Sequence, residues 1–280
     1  MKIALGTVQW GLDYGIANSN GMPSDNELKE IISTANKAGI NMFDTAVHYG
    51  TAEKRLGDHL SNECEIVTKV GSFSSNNRLK DQLKNSFKNF QRDTIYGCLF
   101  HNANELKENK FLWEELLAYK KGGAISKIGY SLYEPTELLS LLELGMVPDI
   151  VQVPYSILDR KFEPYFKLLK EKGVEIHVRS VFLQGLLFKK SNDLPPKMQQ
   201  LKPIIDFIDS ISTDYNISVL QICLGYALQK QKIDHVVVGI DHIDQLKEII
   251  QVNQFLSPDL IQQIEKIQLK DNTLLNPSTW

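Results

Sequence analysis

Eight short apolar runs, separated by amphipathic stretches along the whole chain, constrain this sequence more than any other feature. They are Ile3–Gly6, Ile40–Phe43, Glu65–Lys69, Ile95–Phe100, Ile125–Gly129, Ile150–Val153, Val174–Arg179 and His235–Gly239. Most do not alternate apolar with polar, which is the pattern of strands buried on both faces of a parallel sheet. Between them the period becomes helical. In the first intervening stretch Ser24 and Glu27 are spaced as a capping box, Leu28, Ile31, Ile32 and Ala35 form one apolar face, and Gly39 ends it. Glu134-Pro135 and Ser257-Pro258 each place a proline in the first turn of a later helix.

Eight such units in 280 residues predict an α/β fold of TIM-barrel type, a (β/α)8 barrel, with residues 1–280 forming one domain. An open doubly wound sheet would carry a G-x-G-x-x-G loop after its first strand; neither that nor a G-x-x-x-x-G-K loop occurs. The net charge of −3 gives no field to attract nucleic acid or an anionic membrane, so the expected partner is a small molecule. No apolar run approaches the ~18 residues of a membrane helix. The opening Met1-Lys2-Ile3-Ala4-Leu5-Gly6 breaks at glycine too early for a signal-peptide core. Cys64, Cys98 and Cys223 are odd in number and far apart, which fits reduced thiols and a cytoplasmic protein. The polar stretch Lys189–Lys197 reads as a long loop after the seventh strand, of the kind that covers active sites. The tail after Lys270 either does the same or frays.

In a barrel of this type functional residues sit at the carboxyl ends of the strands. The second strand runs into Asp44, with His48 and Tyr49 just beyond; the third ends in Lys69; the fourth is followed by His101. Singly, each has an ordinary reading as helix cap, packing residue or satisfied histidine. Together they form a set that can reduce a carbonyl. Adding hydride to carbon requires a proton on oxygen, and a free tyrosine, titrating near ~10, is a poor acid at neutral pH. An ammonium beside the phenol is expected to lower that value, a carboxylate to hold the ammonium, and a histidine to orient the carbonyl. The six histidines show no H-x-H or H-E-x-x-H spacing, and no C-x-x-C or G-x-S-x-G occurs, so neither a metal site nor a nucleophile elbow is expected.

With these residues in view, the sequence resembles the aldo-keto reductase family. Phe43-Asp44-Thr45-Ala46-Val47-His48-Tyr49-Gly50-Thr51-Ala52-Glu53, continuing to Arg55-Leu56-Gly57, is similar to that family's Asp-Tyr signature, and Lys69 and His101 match its lysine and histidine. Weaker matches run from Leu5-Gly6-Thr7 and Tyr14-Gly15 through Ser131, Gln152, Arg179-Ser180 and Gln184-Gly185 to Val238-Gly239 and Gln245. The resemblance implies NADPH or NADH bound across the barrel mouth, Tyr49 as proton donor, and Lys69, Asp44 and His101 as its partners. It implies cofactor contacts at Gly6, Thr7, Val8, Asp44, Ser131, Gln152, Arg179, Ser180, Gly239, Asp241 and Gln245. Trp10, Tyr14 and His48, with Tyr49 and His101 and with Phe73 or Tyr155, are the candidates for lining the substrate pocket.

Three positions depart from the family's pattern. Leu132 replaces an asparagine, Arg179 a tyrosine that stacks on the nicotinamide, and Asp241 stands where NADPH-specific members carry Lys or Arg. A carboxylate there repels a 2′-phosphate but accepts from a 2′-hydroxyl. His242 and Lys247 are the candidate compensating cations. The family leans towards NADPH; Asp241 brings NADH nearly level. The activity expected is reduction of an aldehyde, ketone or sugar-derived carbonyl. The alternatives are an NAD-dependent alcohol or sugar dehydrogenase running in reverse, and a cofactor-binding redox sensor with little turnover.

Overall fold

In a computed structural model, which describes residues 2–15, 18, 21–269 and 272–275, eight parallel strands close into a barrel in sequence order. The strands are β1 (Ile3–Gly6), β2 (Met42–Asp44), β3 (Glu65–Val70), β4 (Ile95–Phe100), β5 (Ile125–Ser131), β6 (Ile150–Pro154), β7 (Glu175–Arg179) and β8 (His235–Gly239). Closure comes from β1 on β8, where Ile3 stands beside Val236 and Gly6 beside Gly239. The helices around it are α1 (Asp25–Lys37), α2 (Ala52–His59), α3 (Leu79–Phe90), α4 (Asn104–Glu108), α5 (Phe111–Lys121) and α6 (Pro135–Glu143). They continue with α7 (Phe166–Glu171), α8 (Lys202–Asp214), α9 (Val219–Leu228), α10 (Ile243–Ile250) and α11 (Pro258–Glu265).

The expected helix signals act as read. Ser24 Oγ accepts from the Glu27 N–H at 3.2 Å, and Glu137 Oε2 reaches back over Pro135 to accept from the Glu134 N–H at 2.8 Å. The second strand starts later than its apolar run. Gly39 takes φ +76°, and the Ile40 N–H bonds back to the Ala35 carbonyl, so Ile40 closes α1 instead of opening β2. The 189–197 segment is held down on α8: Leu194 is buried, and Lys202 Nζ donates to Asn192 Oδ1 at 2.8 Å. Leu274 and Leu275 are buried, and the rest of the tail lies outside the described residues.

Alternation along the strands sorts side chains into two cores. Outward positions such as Leu5, Phe43, Val70, Ile128, Val151 and Val238 pack under the helices. Inward positions Ala4, Met42, Val67, Leu99 and Ile150 fill the barrel. Two close approaches fix the loop after β2. A Cβ on Gly11 would stand 1.9 Å from the Tyr49 carbonyl oxygen, and Gly50, at φ +56°, would meet the Gly11 oxygen at 2.2 Å. Only glycine lets the β1 and β2 loops lie this close.

Candidate active site

The site is the next inward layer, two residues towards the carboxyl ends from the apolar plug. Counting two from Ala4, Met42, Val67, Leu99 and Ile150 gives Gly6, Asp44, Lys69, His101 and Gln152. The same step on β5, β7 and β8 gives Ser131, Arg179 and Gly239. His101 lies just beyond β4, but its N–H bonds to the Val70 carbonyl at 2.8 Å and extends the ladder. Ser131 and Gln152 are register partners. An aspartate and a lysine at the top of the neighbouring strands β2 and β3 thus both point into the barrel mouth because the strand period is two, and Gln152 on β6 reaches Asp44 from across it.

At the centre is a buried ion pair. Lys69 Nζ donates to Asp44 Oδ1 at 2.5 Å and to the Thr45 carbonyl at 3.0 Å, and Gln152 Nε2 donates to Asp44 Oδ2 at 2.7 Å. Both carboxylate oxygens therefore have donors. Burial lowers the Lys69 ammonium's affinity for its proton, and the Asp44 charge opposes that. The ammonium lies 5.4 Å from the centre of the Tyr49 ring.

Tyr49 is half-buried. Burial raises its phenol above the ordinary tyrosine value, the Asp44 charge raises it further, and Arg179 works against both. The expected depression by Lys69 is not found. The Asp44 charge beside the ammonium acts on the phenol in the opposite sense. The edge of the His101 ring meets Tyr49 at 5.9 Å. Burial, then Lys69, Arg179 and His48, press the His101 imidazole down to about 3. At neutral pH the mouth therefore offers a protonated phenol beside an uncharged imidazole.

Around this centre the expected substrate residues divide. His48 is exposed and stacks on His101 at 6.4 Å, with Nε2 3.2 Å from the Gly71 carbonyl. It also reaches a polar cavity of about 310 Å³ between α2 and α3, which lies outside the barrel wall. Tyr14 is at the mouth, where its hydroxyl accepts from Gln184 Nε2 at 2.7 Å. Trp10 is not a pocket residue. Its ring is fully buried against Phe43, 6.0 Å between centres, and its indole N–H donates to the Ile240 carbonyl at 2.9 Å. The turn Val8–Trp10 that follows β1 carries the indole under the β8 loop. Tyr155 is likewise buried, stacked on Tyr226, and Phe73 packs edge-on to Phe100.

The Arg179 guanidinium carbon lies over the Tyr133 ring, 4.3 Å from its centre, and the group donates to the Leu132 carbonyl at 3.1 Å and to Ser180 Oγ at 3.2 Å. Thr7 is buried, with both its N–H and hydroxyl on the Asp44 carbonyl, tying the end of β1 to that of β2. Val8 carries on from there into the first turn. At the end of β8, Asp241 is not the cap of α10; His242 is. Asp241 is buried, its Oδ1 accepting from Gln245 Nε2 and its N–H donating to Gln245 Oε1, both at 2.9 Å. His242 Nε2 is 3.5 Å from Glu27, and Lys247 pairs with Asp244 at 3.0 Å. Sequence reasoning gave Gln184 only as a motif match with no role, and missed Tyr133 and Gln9, whose carboxamide covers Gly239. Tyr133 was accessible in principle, since it stands two residues beyond the inward Ser131.

The family model described as the aldo/keto reductase family matches residues 2–269. The chain belongs to the aldo/keto reductase family. It is an NAD(P)H-dependent oxidoreductase acting on a small-molecule carbonyl. Among curated relatives, the NADP-dependent D-sorbitol-6-phosphate dehydrogenase of Malus domestica is 27% identical, covering 91% of this chain and 90% of that protein. The NADH-specific methylglyoxal reductase of Escherichia coli (strain K12) is 24% identical, covering 88% of each. Among solved structures, the aldo-keto reductase AKR11C1 from Bacillus halodurans, in its holo form, superposes with a TM-score of 0.76 at 24% identity, covering 95% of this chain and 91% of that one. Among the described residues no helix is long and apolar enough to cross a membrane, and no group of side chains is arranged to hold a metal ion.

Proposed function

We propose that Tyr49 is the general acid of this reductase, with His101, Lys69 and Asp44 as its partners. The observation that carries this is the buried Asp44–Lys69 pair beside a half-buried phenol and an uncharged imidazole, with Asp44, Lys69 and His101 delivered by one inward layer and Tyr49 by the loop after β2. The Tyr49 O–H and the His101 ring N–H are the donors available to a substrate oxygen at the mouth. As that oxygen gains charge, the proton leaves Tyr49 Oη for it, and the phenolate left behind faces the Lys69 ammonium. Asp44, held by Gln152, keeps Lys69 in place and charged.

The residues present fit a nicotinamide cofactor. Gly6 and Gly239 stand side by side at the mouth, and the Gln9 carboxamide that covers Gly239 has its Oε1 buried without a hydrogen-bond partner, an acceptor left for a bound group. When bound, the cofactor supplies the hydride. Gly6, Val8, Ser131, Gln152, Arg179, Ser180 and Gly239 would hold its nicotinamide half, over the Thr7 brace. Asp241 and Gln245 would hold its adenosine half. Asp241 offers a carboxylate, while His242 and Lys247 already face Glu27 and Asp244. This local charge supports NADH over the family's lean towards NADPH. The chain acts as one barrel domain, and its three buried free thiols fit the cytoplasm.

Titration of the protein with NADH and NADPH, followed by a panel of aldehydes and ketones, tests the reading. Tyr49→Phe is expected to bind cofactor as the wild type does and to lose about 10²–10⁴-fold in kcat. A variant that keeps most of its kcat would remove Tyr49 as donor. Cofactor binding with no turnover of any carbonyl would favour the sensor.

A further inference from the structure

An uncharged imidazole carries a single N–H, so His101 helps a carbonyl only if that N–H points at its oxygen. Among the described residues nothing hydrogen-bonds to the His101 ring, and packing alone aims it. The edge contact with Tyr49 is one side of that packing. The other is His48, whose ring stacks on His101 with 23° between the planes. His48 is itself exposed, and its plane is fixed at Nε2, which donates to the Gly71 carbonyl at 3.2 Å. The direction of the catalytic imidazole therefore traces back to the backbone at Gly71.

That backbone is held from two helices. On α3, the buried Gln82 takes both polar groups of Gly71. Its Nε2 donates to the carbonyl at 2.7 Å, and its Oε1 accepts from the N–H at 3.1 Å. On α4, Glu105 Oε1 accepts from the Ser72 N–H at 2.7 Å. Ser72 takes φ +55°, a left-handed conformation that a residue with a side chain keeps only where its surroundings impose it. A Cβ on Gly71 would stand 3.4 Å from both Glu105 Oε2 and the His101 Cβ, so turn, carboxylate and imidazole pack around one point. Glu105 Oε2 is buried with no hydrogen-bond partner. A half-satisfied buried carboxylate costs stability, so Glu105 is not explained by the strength of the fold. What it holds is the shape of the turn.

We propose that Gln82 and Glu105 are positioning residues of this reductase: by fixing the Gly71–Ser72 turn they set the plane of His48 and, through its stacking, the direction of the His101 N–H. The proposal rests on Tyr49 and His101 marking the reacting centre. Wild type, Gln82→Leu, Glu105→Leu, Glu105→Gln and Tyr49→Phe are compared as holoenzymes, with the cofactor that binds best. Steady-state kinetics give kcat and KM for the best carbonyl of the panel, and fluorescence gives cofactor Kd. Nitrogen–proton NMR correlation of the imidazoles, assigned by single histidine substitutions, reports on each ring. Gln82→Leu and Glu105→Leu are each expected to lower kcat about 10-fold, with KM and cofactor Kd within about twofold of wild type. Glu105→Gln keeps an acceptor oxygen for the Ser72 N–H and is expected to recover kcat to within about twofold of wild type. In both leucine variants the His48 and His101 signals move, while those of His177 and His235, on β7 and β8, stay in place. Since both substitutions act on one turn, the double variant should lose less than the product of the two single losses. Wild-type kcat in the leucine variants overturns the proposal, as does a loss of kcat with the His48 and His101 signals unmoved. A Glu105→Gln variant as slow as Glu105→Leu overturns it too. If the buried Gln82 does not tolerate leucine and the variant fails to fold, the Glu105 pair decides alone. An inactive Tyr49→Phe beside unimpaired leucine variants refutes the proposal alone. A Tyr49→Phe variant that keeps its kcat, or a wild type that reduces no carbonyl, refutes the reading of the site and the proposal with it.

Discussion

Replacing Asp44 by asparagine is expected to damage this protein in a way its size does not suggest. Two donors converge on the Asp44 carboxylate, Lys69 Nζ on one oxygen and Gln152 Nε2 on the other. An asparagine has one acceptor oxygen, so one of these contacts becomes donor against donor. Lys69, fully buried, also loses its counterion. Removing one partner of a buried pair costs about 3–5 kcal/mol. With a melting entropy of roughly 2.1 cal/mol/K per residue, a 280-residue chain melts about 5–8 °C lower for that loss. The deficit has a sign in pH. Burial already lowers the folded-state pKa of Lys69, and without the carboxylate it falls further. The unfolded chain then binds more protons, so the penalty is complete below the folded pKa and fades as pH rises towards the ordinary lysine value of 10.5. Calorimetric melting of wild type and Asp44→Asn across pH 6 to 9 measures this. Adding Lys69→Met should recover most of the stability while leaving the enzyme inactive, because no buried charge remains. Equal melting of wild type and Asp44→Asn, a pH-independent deficit, or simple additivity of the two substitutions would refute the argument.

Two further outcomes follow from the site. Asp241→Arg is expected to shift cofactor preference at least tenfold towards NADPH, read as the ratio of NADH to NADPH Kd values; an unmoved ratio would place the 2′ position elsewhere. Trp10→Phe should remove the bond to the Ile240 carbonyl and leave a void, costing about 2–3 kcal/mol in denaturant unfolding, while the ranking of carbonyl substrates stays the same.

Much of this was legible because buried parallel strands leave a strong mark. All eight strands stand where apolar runs occur, and the errors lie at the ends. β2 begins at Met42 since Ile40 completes the stop of α1, and β5 runs on to Ser131 to pair with Gln152. Lys69 was conspicuous as a charge ending an apolar strand. Trp10 misled, because proximity to a strand end does not say which way a turn carries its side chain. Arg179 could be numbered but not understood, as its partners Tyr133 and Leu132 come from the β5 loop.

The sequence by itself determined eight short buried strands alternating with helices and the identity of the groups at their carboxyl ends, since strands covered on both faces read as apolar runs; closure of the barrel and the inward layer came from the strand register. The tertiary structure decided their charge states. Which cation is cancelled, which phenol keeps its proton and which imidazole stays uncharged depend on distances of a few ångströms between residues far apart in the chain. Electrostatic energy varies with separation and burial, and neither is written in the order of the residues.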